Sequence, residues 1–98
     1  MIKLTKNQIL SWTGGENNFK DYNPEINNVV TDSRKIQEND CYIAIKGENF
    51  DGHDFIEASK CTVSLMQRDH KERYKLDIPL IIVDDILEGL NYYFSYYN

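Results

Sequence analysis

Apolar residues fall into short runs separated by polar stretches, and the runs alternate between two periods. Val29-Val30-Thr31, Cys41 to Ile45 and Thr62 to Gln67 are short enough to be strands. Leu80-Ile81-Ile82-Val83 has the continuous β-branched character of a strand buried on both faces. From about Asp54 to Lys60 the pattern is helical. Strand, loop plus helix, and strand make a βαβ unit, with enough residues between the strands for a right-handed crossover. Near the N-terminus Thr5-Lys6-Asn7-Gln8 fits a capping box. Ile9, Leu10 and Trp12 give the helix that follows an apolar side, and Gly14-Gly15 ends it.

The stretches between these elements are polar. Glu16 to Asn27 reads as a loop or an irregular edge strand, and Glu38-Asn39-Asp40 as a turn. Asp69 to Lys75 is a charged surface loop or helical turn, in which His70 is expected to be solvated. Asp84 or Asp85 can cap a final helix with Glu88 in its first turn. At about 100° per residue, Ile86, Leu87, Leu90, Tyr93, Phe94 and Tyr97 share one face, which should pack on the sheet. Tyr92 and Tyr96 share the other side and should be exposed, facing solvent, a further domain or a second copy of the chain.

The chain has 98 residues, one small domain over 1–98. Its 41% hydrophobic and 28% charged content is that of a globular chain. A net charge of -5 without a basic cluster argues against nonspecific nucleic-acid binding. No apolar run approaches the roughly 18 residues of a membrane span. Met1-Ile2-Lys3-Leu4-Thr5-Lys6 is too polar for a signal peptide, so a cytoplasmic protein is expected. Cys41 and Cys61 form no Cys-x-x-Cys pair and read as reduced packing residues. The nearest group of metal-ligand types is Asp51, His53 and Asp54, and no metal is expected.

Candidate chemistry concentrates in Lys46-Gly47-Glu48-Asn49-Phe50-Asp51-Gly52-His53-Asp54-Phe55, a glycine-bearing loop between strand and helix. Gly47 and Gly52 can take positive φ and admit a ligand to the backbone, and the helix N-terminus beyond them offers free N–H groups. The alternative is that the glycines only make the turn. They have the spacing of the phosphate loop G-x-x-x-x-G-K-[ST], but His53 and Asp54 replace the lysine and the hydroxyl residue. Glu48 and Asp51 would also repel a triphosphate, so an ATP loop is rejected.

A second polar group, Thr31-Asp32-Ser33-Arg34, leaves the neighbouring strand. Arg34 and Lys46 can meet phosphate oxygens. Ser33 can donate or accept, and Glu48 and Asp51 can accept from ribose hydroxyls or a base N–H. A nucleoside diphosphate suits this mixture. The alternative is an Asp32–Arg34 salt bridge with Ser33 capping a turn.

Together, Thr31-Asp32-Ser33-Arg34-Lys35 and Lys46-Gly47-Glu48-x-Phe50-Asp51-Gly52-His53-x-Phe55 resemble the N-terminal domain of the Mur ligases, the ATP-dependent amide ligases that build the peptide stem of peptidoglycan. Within that family the Gly-Glu before Phe-Asp-Gly-His is most like the member that adds D-alanyl-D-alanine to UDP-N-acetylmuramoyl-tripeptide. The preceding lysine- or diaminopimelate-adding ligase is the alternative. The resemblance implies a small three-layer α/β domain with a mixed sheet. It implies that the domain holds the UDP end of a UDP-N-acetylmuramoyl-peptide through Asp32, Ser33, Arg34, Lys46, Gly47, Glu48, Asn49, Phe50, Asp51, Gly52 and His53. It implies no catalytic residue, metal or cofactor in this chain, with ATP and Mg held by the central domain of the full-length ligase, to which this domain would be joined.

Two departures from the family pattern are Asn39-Asp40 where Gly-Asp is usual, and a helix after Asp-Gly-His that lacks its closing glycine. Asn39 tolerates the left-handed conformation. Because no Gly-Lys-Thr or Gly-Lys-Ser follows, the chain is expected to be an isolated or truncated domain. Two other classes remain: a non-catalytic interaction module, and a small hydrolase using Asp51, His53 and Asp54, which lacks a nucleophile beside a base.

Overall fold

The computed structural model describes residues 4–70 and 77–88. Helix α1 (Lys6–Thr13) starts as its sequence dictates. The Thr5 hydroxyl accepts from the Gln8 N–H, and the Gln8 side chain accepts from the Thr5 N–H at 2.9 Å. Gly14 closes the helix at φ 65°, its N–H donating to the Leu10 carbonyl. Ile9 is buried, with Leu10 and Trp12 packed beside it.

Strands β4 (Val29–Val30), β5 (Cys41–Ile43), β6 (Val63–Gln67) and β7 (Leu80–Val83) run parallel. The short β2 (Glu16–Asn17) adds antiparallel to β7, giving a five-stranded mixed sheet in the order β2-β7-β6-β5-β4. Every residue of β7 is buried, as its unbroken apolar run requires. A separate antiparallel ladder joins β1 (Leu4–Thr5) to β3 (Glu25–Ile26). Two-residue strands carry no readable period: β1 was not foreseen, and β3 lies within the stretch 16–27 read as a loop or an irregular edge strand.

The sheet is covered on both sides. Cys41, Ile43 and Leu65 meet Ile9 and Trp12 of α1 around a void of about 20 Å3. Tyr42 points to the opposite face, where its hydroxyl donates to the Gly52 carbonyl at 2.8 Å. The three-layer α/β architecture with a βαβ unit, β5-α2-β6, is the one expected.

Local departures are instructive. β5 ends at Ile43 rather than Ile45. The expected helix over 54–60 is a 3-10 turn at Gly52–Phe55 followed by a single α-turn, α2 (Ile56–Ser59). Lacking a closing glycine, α2 ends with Lys60 itself in the left-handed region at φ 57°. Asn39 takes φ 65° in the turn before β5, as its side chain allows.

Asp85 caps the last helix by accepting from the Leu87 and Glu88 N–H groups. Residues 86–88 are helical and Ile86 is buried, but Leu87 is 62% exposed, against expectation. It lies one residue, about 100°, round from Ile86. Leu90, Tyr92, Tyr93, Phe94, Tyr96 and Tyr97 lie outside the described residues.

Neither Gly47 nor Gly52 has positive φ. Gly52 is required for a different reason. A Cβ there would stand 2.8 Å from both the N and O of Ile45 and 2.9 Å from the Tyr42 hydroxyl. Gly52→Ala should therefore destabilise the domain by about 1–3 kcal/mol. At Gly47 the contact is the Phe50 ring at 3.2 Å, which can swing aside, so Gly47→Ala should cost less. Urea unfolding of the two variants checks the order, and equal losses would contradict it.

Candidate functional site

Where β4 ends, Asp32 caps a 3-10 turn at Ser33–Lys35. Its Oδ1 accepts from the Arg34 N–H at 3.0 Å and from Arg34 Nε at 3.1 Å, and its Oδ2 accepts from Arg34 Nη2 at 3.0 Å. These hydrogen bonds hold the Asp32 carboxyl down at about 2. The Asp32–Arg34 salt bridge of the alternative reading is present, but Asp32 rather than Ser33 caps the turn. The outer edge of the Arg34 side chain faces solvent, at 87% exposure.

The glycine loop is a tight hairpin. Lys46 and Asp51 pair across it, the Gly47 N–H donates to the Phe50 carbonyl, and the Gly52 N–H donates to the Ile45 carbonyl, both at 2.8 Å. The two glycine amides are consumed by the loop itself. They do not fit a triphosphate with its Mg, and the rejected phosphate loop stays rejected on geometry. The hairpin leaves Lys46, Glu48, Asn49 and Phe50 exposed.

Asp51 anchors the hairpin. Its Oδ1 accepts from the His53 N–H at 3.0 Å and lies 2.7 Å from His53 Nδ1, and its Oδ2 lies 2.6 Å from His70 Nε2. Burial would raise this carboxyl, but the hydrogen bonds from both histidines hold it well below the usual carboxylate range.

The His53 ring is buried, and its Nε2 accepts from the Gln67 N–H at 3.0 Å. Strand hydrogen bonding explains why. Along β6 the Ser64 and Arg68 N–H groups point toward β7, so the Gln67 N–H points toward β5. But β5 departs beyond Ala44, whose N–H still donates to the Leu65 carbonyl, and the imidazole supplies the missing acceptor. An acceptor Nε2 fixes His53 as the neutral Nδ1–H tautomer. Burial also disfavours its charge and lowers its pKa.

His70, expected in solvent, is instead 12% exposed and stacked on His53, with ring centroids 3.7 Å apart and planes 5° from parallel. Its Nδ1 lies 2.7 Å from Asp69 Oδ1. The partners responsible are distant in sequence and invisible to local pattern. Asp51, His53 and His70 form a cluster of metal-ligand type among the described residues. A metal on His53 Nδ1 would need Nε2 to carry the proton, and that proton would face the Gln67 N–H. The cluster is therefore a hydrogen-bonded structural unit. Among the described residues no hydroxyl or thiol bonds to either imidazole, which leaves the hydrolase reading without a nucleophile.

Between the two loops lies an open groove of about 470 Å3 lined by Thr31, Asp32, Ser33, Arg34, Tyr42, Phe50 and Phe55. Of the residues singled out from sequence, Asp32, Ser33, Arg34 and Phe50 meet there. Lys46, Glu48 and Asn49 stand on the hairpin outside this lining, and Gly47 is half-buried. Asp51, Gly52 and His53 lie away from the lining and support the hairpin. Thr31 and Phe55 stand in the two motifs but were given no binding role, and Tyr42 was not foreseen as a site residue. The signal for Tyr42 was its position, alternate to Cys41 and Ile43 in a strand leading to the loop.

The model of the Mur ligase family, catalytic domain, matches residues 25–71. A 2,6-diaminopimelate-adding UDP-N-acetylmuramoyl-L-alanyl-D-glutamate ligase of Rickettsia typhi is 37% identical over 74% of this chain and 14% of its own length. The UDP-N-acetylmuramoyl-tripeptide--D-alanyl-D-alanine ligase of Bacillus subtilis is 34% identical over 92% of this chain and 20% of its own. A crystal structure of MurF from Acinetobacter baumannii superposes with TM-score 0.79 at 30% identity, covering 98% of this chain and 21% of that one.

The chain belongs to the Mur ligase family.

It spans about a fifth or less of the relatives and structures it matches. Both the diaminopimelate-adding and the D-alanyl-D-alanine-adding types are represented among them, and the family alone does not choose between the two. The fold of this Mur ligase domain is that of the N-terminal domain in those structures. Among its described residues no helix is long and apolar enough to cross a membrane.

The anchor makes an acid-stability prediction. A carboxylate held below its unfolded pKa contributes stability above the unfolded value, about 3.9, and loses it as pH falls toward the folded value. Asp51→Asn should be less stable than the parent at neutral pH by about 1.5–3 kcal/mol. The gap should close as pH is lowered through the acid range. A constant gap in urea unfolding from pH 6 to pH 2 would contradict the assignment.

Proposed function

We propose that this chain is the N-terminal substrate-binding domain of a UDP-N-acetylmuramoyl-tripeptide--D-alanyl-D-alanine ligase and holds the UDP end of the muramoyl-peptide. The observation that carries this reading is the groove itself. One wall is the Asp-Ser-Arg turn with an exposed guanidinium, the other is aromatic, with Phe50 61% and Phe55 43% exposed. A flat base can lie on the aromatic wall. Arg34, and Lys46 from the hairpin, offer charge to the diphosphate, Ser33 offers a hydroxyl, and Glu48 is an acceptor for ribose. The same domain of a lysine- or diaminopimelate-adding ligase is the second reading, favoured by relatives of that kind.

On either reading the chain positions substrate and makes no bond. ATP and Mg would be held by a central domain beyond these residues, and the work would be done in the cytoplasm on peptidoglycan precursors. Arg34 has a double task. It meets the diphosphate and covers the Asp32 carboxylate, which stays ionised and would otherwise repel the ligand.

Titration with UDP should move the amides of Ser33, Arg34 and Phe50. Ser33→Ala should weaken binding by about 0.5–1.5 kcal/mol, the worth of a neutral hydrogen bond. Arg34→Ala should weaken it more, by about 1.5–3 kcal/mol or beyond, since it also uncovers Asp32. Phe50→Ala should cost about 1–3 kcal/mol if the base stacks there. Unmoved amides at millimolar UDP would sink the reading. ATP incubated with the purified domain should release no phosphate above a blank, and release well above it would contradict the division of labour.

A further inference from the structure

We propose that His70 is a positioning residue for the substrate loop, a proton-dependent latch that holds the 46–51 hairpin against the end of β6. The link to binding rests on the reading just given; the latch itself does not.

The argument is one of hydrogen-bond inventory. Both ring nitrogens of His70 face carboxylate oxygens, Asp51 at 2.6 Å and Asp69 at 2.7 Å. An ionised carboxylate only accepts, and a neutral imidazole donates from one nitrogen alone. Both contacts are satisfied together only by the imidazolium. Its stacking partner must then be neutral, because two cations face to face would repel. His53 is neutral for an independent reason, since its Nε2 accepts from the Gln67 N–H. The pair is therefore a cationic ring lying on a neutral one, an attractive arrangement. Among the described residues the charged or titratable groups facing the His70 ring are Asp51, Asp69 and His53.

The consequence reaches the groove through a single carboxylate. Asp51 Oδ2 is held by His70, and Asp51 pairs across the hairpin with Lys46. The hairpin carries Phe50 to the groove wall. Loss of the His70 proton leaves one N–H for two carboxylates, and a ring lone pair then faces a carboxylate lone pair. One side of the anchor opens while the His53 side persists. A histidine whose folded pKa is raised contributes stability below its unfolded value and loses it as pH rises through the folded value. Burial opposes the raised value, and the two carboxylate hydrogen bonds outweigh it. The latch is thus closed in mild acid and opens as the pH rises through a folded value above that of an ordinary imidazole.

The test uses the whole chain. Imidazole resonances are followed from about pH 5.5 to pH 9, together with exchange of the Gly47 and Gly52 amides. His70 should titrate above the ordinary histidine value of about 6.5, and His53 should remain neutral through that step. Protection of the Gly47 amide should fall with the same midpoint, beyond the intrinsic pH dependence of exchange. Asp69→Asn, at an exposed position, should lower the midpoint.

The ligand probe is UDP-N-acetylglucosamine, whose diphosphate is a diester with fixed charge in this range. Its Kd should rise about three- to tenfold between pH 6 and pH 8.5, part of the worth of one charge-assisted hydrogen bond. In His70→Gln the Kd should be independent of pH. A His70 midpoint at or below the ordinary value, or loop protection indifferent to it, would overturn the latch. Equal probe affinity at both pH values would overturn its role in positioning. No binding at either pH, with ring and loop titrating together, would support the latch and count against the proposed function instead.

Discussion

The end of a parallel strand poses a problem that this chain solves with one side chain. β6 outlasts β5, so the Gln67 N–H is left pointing at a neighbour that has gone. The buried His53 imidazole takes that neighbour's place, accepting the N–H at 3.0 Å. Its other nitrogen faces the carboxylate that caps the loop, 2.7 Å away. A strand end and a surface loop are thereby joined through a neutral ring with both nitrogens satisfied. The Gln67 side chain extends the connection, its Oε1 accepting from the Ile86 N–H where the last helix begins. An unpaired buried N–H costs about 1–3 kcal/mol, so the ring's tautomer is constrained by the sheet.

The chemistry of the groove depends on that join at one remove. Glycine amides that might have cradled an anion are spent inside the hairpin, so the loop offers side chains instead of backbone. Phe50 is held outward by the turn, Tyr42 is tied to Gly52 from below, and the Asp32–Arg34 pair stands opposite. A wall of exposed aromatic surface facing a guanidinium is a suitable setting for a base linked to a diphosphate. The same architecture is unsuited to a triphosphate loop. A fold-level resemblance could not have drawn that distinction; the destination of the Gly47 and Gly52 N–H groups does.

What could be read from the chain beforehand was what short-range chemistry decides. The Thr5 capping box, the left-handed Asn39, the Asp85 cap and the buried run of β7 all depend on residues within a few positions of one another. The three-layer fold followed from the resemblance and from the order of periods. Gly52 was expected to be free to take a positive φ, but what it supplies is the lack of a side chain, which leaves room for Ile45 and Tyr42. His70 was misread because what buries it, Asp51 and His53, comes from a loop far back in sequence. Leu87 went astray because a helical period says which residues share a face, not where the face ends. Tyr42 and Phe55 joined the groove through strand alternation and a 3-10 turn that periodicity does not resolve.

The central claim is that His53 is neutral, carries its proton on Nδ1, and accepts from the Gln67 N–H. The direct measurement is a scalar coupling across that hydrogen bond, from the Gln67 amide nitrogen to His53 Nε2, in uniformly 15N-labelled protein near neutral pH. The account predicts a resolvable coupling, with the ring proton on Nδ1. A proton on Nε2, or a Gln67 amide that exchanges as fast as an exposed one, would contradict it.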